Sequence, residues 1–98
     1  MADAIVRAQA IRWVDDSFPG WIEVKVVDAA GDDHRIVDKV PILTTLDIRS
    51  DTSFPIELWI AADTTDIDGD HVTARLKWVD TQEGLNELII ATTDVRWL

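Results

Sequence analysis

Asp63, Asp66, Asp68 and Asp70 crowd around Gly69, and closely spaced carboxylate oxygens are the ligands that a calcium ion prefers. Setting Gly69 at the glycine position of an EF-hand loop puts Thr64 at the first ligand position and the cationic Arg75 at the last. Neither end can hold the ion, so the segment reads as an acidic turn, and Asp68-Gly69 is itself a hairpin dipeptide. His34 and Asp38 leave the same side of one proposed strand, but their Cα atoms stand about 13 Å apart. A hydrogen-bonded acid–base dyad needs a reach of about 3 Å. His71 follows Asp70 at a predicted turn, and the chain's two histidines show no zinc-ligand spacing. Ser17, Ser50 and Ser53 lack the glycine-flanked elbow of a hydrolase nucleophile. The four glycines are too scattered to cradle a phosphate. With no cysteine, thiolate chemistry and disulfides are excluded. No catalytic residue, metal or cofactor is therefore assigned, and the chain is read as a non-enzyme. An enzyme would need a deep pocket where carboxylates converge with His34 or His71.

Binding is the chemistry left. Nine basic against nineteen acidic residues give a formal charge of −10, which repels phosphate backbones and argues against direct nucleic-acid binding. The attractive complement is a basic protein, such as a nucleic-acid-binding or nucleic-acid-cleaving one whose cationic groove the acids could cover. The plainer reading is that fifteen aspartates and three lysines keep a small protein soluble. Among five tryptophans, Trp59 alternates away from Leu58 and Ile60. An aromatic so placed either anchors a partner or is covered by a loop or terminus. Trp78 is expected on the core face with Leu76, Trp21, directly after Pro19-Gly20, is expected to clamp the loop, and Trp13 and Trp97 are expected to pack near the termini. The partner-binding set is Trp59, Asp63, Asp66, Asp68 and Asp70, in a small cytoplasmic protein of the immunity or inhibitor kind. The alternative is a structural or self-assembling β module that forms a homo-oligomer.

Alternation supplies the elements that must position these residues. Ile22, Val24 and Val26 alternate with Glu23 and Lys25, the period of a half-buried strand. The turn from Asp28 to Asp33, with Gly31 able to take a positive φ, leads into His34 to Val40, predicting a hairpin. Phe54 to Ala62 and His71 to Val79 alternate again, with the acidic segment between them as a turn. A last strand is expected over Glu87 to Thr92, and Val95 to Leu98 is expected to pack or pair. At the start, Val6, Ala8 and Ala10 suggest one strand face while Ile11 and Trp13 suggest the other, which a bulge would reconcile. A helix through Val6, Ala10, Trp13 and Val14 is the rival. Pro41 to Asp51 reads as a connection, with Pro41, Ile42 and Leu43 tucked inward and one helical turn at Leu46-Asp47-Ile48.

The length of 98 residues suits one domain. Asp3, Arg7 and Arg12 interrupt the N-terminal stretch that a signal peptide would need apolar, and no apolar run nears the roughly 20 residues of a membrane span. The fold class is all-β, a small antiparallel barrel or compact sandwich of about six strands.

The run from Ser17-Phe18-Pro19-Gly20-Trp21-Ile22-Glu23-Val24, continued by Asp28, Gly31, His34 and Val37-Asp38-Lys39-Val40-Pro41-Ile42, resembles a group of small uncharacterised bacterial proteins. Those carry a PGW-x-EV segment, an Asp/Gly turn and an H-x-x-VDK-x-P segment. Glu83 to Leu88 is similar to their C-terminal region. The resemblance implies a bacterial β-rich domain and brings no site residue with it. A looser similarity, in strand count and size, is to the small barrels attached to translation GTPases.

Overall fold

The computed structural model describes residues 2–98. Its organising element is β1 (Ala2–Asp15), which buries Ala4, Val6, Ala8 and Ala10 and leaves Asp3, Arg7 and Gln9 exposed. Alternation with period two wins over the helical spacing because β4 (Ile56–Asp68) offers a matching face, with Val6 opposite Ile60 and Ala8 opposite Leu58. Three inward alanines leave room on the concave side, so the sheet can curl tightly. The expected bulge lies at Ile11: pairing steps from Ala10↔Val24 to Arg12↔Glu23, leaving one unmatched residue. That extra residue reverses the phase and turns Trp13 inward against Phe54, ring centroids 6.0 Å apart and edge-on.

β2 (Trp21–Val27) and β3 (Asp33–Lys39) form the expected hairpin, with Val24 opposite Ile36. One helical turn, α1 (Val40–Leu43), follows directly. It replaces the turn expected at Leu46-Asp47-Ile48, because Pro41 sits in its first turn, where a missing N–H costs nothing. Of the three residues expected to tuck inward, only Leu43 does so; Pro41 and Ile42 are exposed.

β4 runs through the acidic segment that alternation alone ended at Ala62. β5 (His71–Leu76) holds it there by main-chain pairing, which is indifferent to side-chain polarity and which places Arg75 opposite Asp63. The turn is Gly69-Asp70, one residue later than the dipeptide suggests, with Gly69 at φ +64°. β5 stops at Leu76, three residues short of expectation. Trp78 then takes φ +65° and is 76% exposed, so it does not share the core face with Leu76. The reversal brings Val79 into the core in its place. β6 (Glu87–Ala91), a 3-10 turn at Thr92–Asp94 and β7 (Val95–Trp97) complete the chain.

All strands belong to one antiparallel sheet in the order β3-β2-β1-β4-β5-β6, with β7 beside β2 along the same edge of β1. The sheet curls into a half-barrel. Its two ends meet where the Ala29 N–H donates to the Ile89 carbonyl at 2.8 Å and the Gln82 N–H to the Arg35 carbonyl at 2.7 Å. The concave face is one continuous core, including Ile22, Val24, Ile36, Leu58, Ile60 and Ile90. Each such buried side chain contributes about 1.5–3 kcal/mol. No helix among the described residues is long and apolar enough to cross a membrane.

Candidate functional site

Three places hold side chains able to do something beyond folding. The first is the tip of the β4–β5 hairpin. Asp66, Asp68 and Asp70 are exposed there, with Ile67 64% exposed among them. The bulge between Thr64 and Ile67 frees the segment from strict alternation, so apolar and acidic groups share the tip. Among the described residues only His71 approaches these acids, at 3.6 Å from Asp70 Oδ1. No group of three or more potential ligands is arranged to hold a metal ion among the described residues.

The second place lies along the first half of β4. Trp59 stands half-buried on the convex face, with the Arg96 guanidinium 4.0 Å and the Arg7 guanidinium 5.3 Å from its ring. Arg7 and Arg96 reach it because Arg7 pairs with Trp59 across β1–β4, and β7 carries Arg96 opposite Ile5. Beside Trp59 a cleft of about 450 Å³ runs between β4 and the segment after α1, lined by Ile5, Ile42, Leu43, Leu46, Trp59 and Trp78. Trp59 and Asp68 are nine residues apart on one strand, hence roughly 30 Å. The structure therefore does not bring Trp59 together with the aspartates of the tip. Asp63 belongs to neither place: it is half-buried with Lys77 Nζ at 3.5 Å, and the same ammonium meets Asp3 at 2.7 Å. The hydrogen bond between Lys77 and Asp3 is the largest cause both of the raised Lys77 pKa, to which the attraction of Asp3 and Asp63 adds, and of the lowered Asp3 pKa, to which the Lys77 charge adds.

The third place was not visible as a set in the sequence. His34 Nε2 meets Asp28 Oδ2 at 2.7 Å and its Nδ1 meets Glu83 Oε1 at 2.5 Å. The side chain is only 11% exposed. Asp28 belongs to the β2–β3 turn and Glu83 to the β5–β6 loop, so the imidazole spans the seam where the sheet ends meet. Asp28 is pre-set by its own turn, since its Oδ1 accepts the N–H groups of Ala30 and Asp32. The hydrogen bond to Asp28 raises the His34 pKa, with Glu83 adding to it against the opposing effect of burial. Asp28 is correspondingly lowered, chiefly by His34. With a carboxylate on each nitrogen, both contacts are satisfied together only when both nitrogens donate, so the arrangement favours the imidazolium. His34, His71, Asp28 and Glu87 line one shallow cleft of about 430 Å³, but neither His34 nitrogen is free to accept a proton from a substrate there. Asp38, on the same strand, takes no part.

The remaining tryptophans are structural. Trp13 lies against Gly20, where an added Cβ would approach its ring to 2.8 Å. Trp21 is 36% exposed under the Lys39 ammonium, 5.6 Å from the ring. Trp97 Nε1 donates to Thr64 Oγ1 at 3.0 Å.

The class that fold and surface define is an antiparallel half-barrel with an anionic exterior. Comparison of the chain with protein-family models, with curated proteins and with solved structures returns no match.

Proposed function

We propose that the protein is a binding module for a basic protein partner and not an enzyme. The observation that carries this reading is how its charges are spent. Arg7, Arg12, Arg35, Arg49, Arg75 and Lys77 each face a carboxylate of their own chain. The excess acid therefore stays unneutralised at the surface, and three of these carboxylates, Asp66, Asp68 and Asp70, project together from the hairpin tip. Three carboxylates projecting from a protein of formal charge −10 steer a cationic partner over roughly a Debye length. Against catalysis stands His34, whose two nitrogens are consumed by the seam. A cytoplasmic setting belongs to the proposal.

The test is titration of the full chain with a small cationic nuclease and with a lysine-rich peptide by calorimetry, at about 20 mM and about 500 mM salt. Association at low salt that weakens at least tenfold at high salt, and that weakens likewise in Asp66→Asn/Asp68→Asn/Asp70→Asn, supports the reading. Absence of any association at low salt refutes it.

A further inference from the structure

The convex cleft beside Trp59 coincides with a gap in the sheet. β4 is paired on one side by β1 over Ile56–Thr64, but on the other side β5 covers it only from Ala62 onward. The register tells which way the main chain points in the uncovered half. The Lys77 N–H donates to the Ala61 carbonyl, so Ala61 directs its peptide groups toward β5. In an extended strand the groups of every second residue share one edge, so Glu57 and Trp59 direct theirs the same way. No backbone partner meets either residue on that edge among the described residues. Two N–H and two C=O groups thus stand unpaired beside an apolar cleft. The ends of the sheet differ: β3 receives Gln82 and β6 receives Ala29. Nor is this edge blunted as exposed edges usually are, by lysine or bulges; only Pro55, just before the strand, interrupts it.

We infer that the open edge of β4 at Glu57 and Trp59 receives an extended segment of the partner as an added strand, its apolar side chains entering the cleft between Leu46, Trp59 and Trp78. Main-chain hydrogen bonds supply the affinity of such an addition, and the pockets for alternate side chains supply its selectivity. Charge selects the occupant. A second copy of this chain would bring two formal charges of −10 together. A segment with apolar residues at the paired positions and Lys or Arg flanking them fills the cleft and answers the net negative charge of the whole chain. The inference rests on the proposed recognition of a basic partner and adds where and how that partner is held.

The probe is a synthetic peptide of about eight residues, a central run of valines flanked by lysines, beside the same peptide with its central N–H groups methylated. Methylation preserves charge and removes the donors an added strand requires. Expected are at least tenfold weaker binding of the methylated peptide, and at least tenfold slower amide hydrogen exchange at Glu57 and Trp59 when the unmodified peptide is bound. Trp78→Asn removes one lip of the cleft while suiting the backbone, since asparagine tolerates positive φ far better than tryptophan. It should fold as well as the parent and bind the peptide at least fivefold more weakly. Equal binding of both peptides, with protection absent at Glu57 and Trp59, overturns the strand addition and leaves recognition by charge standing. Failure of both peptides to bind at low salt overturns both. A peptide-free dimer with those two amides already protected would also overturn it, assigning the edge to a second copy.

Discussion

Replacing His34 by glutamine tests the seam directly. The side chain keeps comparable bulk and one donor group but loses its charge and its bridge to two carboxylates. The bond to Asp28 joins groups only 11% and 17% exposed, and a hydrogen bond to a charged group contributes about 1.5–3 kcal/mol. Glu83 is 51% exposed, so its bond counts as a surface pair, about 0.2–1 kcal/mol. Asp28 is not stranded by the change, because Ala30 and Asp32 still donate to it. The expected loss is therefore about 2 kcal/mol, or roughly 8–16 °C in Tm for a domain of this size. The loss must also depend on pH. The His34 pKa is raised on folding, so its contribution is complete below the ordinary value of 6.5 and disappears as pH climbs through the raised value. The Asp28 pKa is lowered, so its contribution is complete above 3.8 and disappears as pH falls through the lowered value. Between 3.8 and 6.5 both are in force. Urea unfolding followed by tryptophan fluorescence, at about pH 5.5 and at several values up to about pH 9, reads the difference between parent and variant. A difference that holds constant with pH, or widens as pH rises, would refute the account of the imidazolium as the bridge.

Other perturbations separate backbone strain from contact. Gly20→Ala should cost about 3 kcal/mol, since it combines a left-handed backbone at φ +85° with a Cβ 2.8 Å from Trp13. Gly31→Ala, at φ +88° with nothing within 4 Å, should cost only about 1 kcal/mol. Thermal unfolding of the pair isolates the contact, and equal losses would contradict it. Trp97→Phe removes the donor to Thr64 Oγ1 and should cost about 1 kcal/mol by urea unfolding. Arg96→Ala uncovers Trp59 and should cost about 0.5–1 kcal/mol while shifting the tryptophan emission to the red.

What the sequence made legible follows from one physical fact, that a sheet with one buried face must alternate. Ile22, Val24 and Val26, the pairing of β2 with β3, and the bulge at Ile11 were all readable because each leaves a phase in the order of apolar residues. The extension of β4 past Ala62 was not, since Asp63 and Asp68 stay in a strand through main-chain pairing with β5 and carry Asp66, in the bulge between them, along. Trp78 misled for the opposite reason: its phase fits the core, but the chain must turn after Leu76 to reach the loop, and the turn outranks the phase. Pro41 did carry a local signal for α1, as a proline suited to a first helical turn. The seam cluster was beyond reach. The sequence places His34 on a strand and Asp28 in the turn before it, but only the curl of the sheet brings Glu83 across from the β5–β6 loop. Likewise Trp59 was readable as facing away from the core, while the gap beside it depends on where β5 begins to pair.

The way β1 shares its edge has a bearing on how the chain comes together. Ala4 and Trp97 lie opposite each other, and the Leu98 N–H reaches the Asp3 carbonyl. The first half of β1 therefore has a neighbour on both sides only once β7 has docked. A loop running from Val6 to Val95 must close for that, and such distant contacts slow the search for the native arrangement. Until the two strands meet, that half of β1 keeps one main-chain edge open, the kind of edge on which a foreign strand can pair.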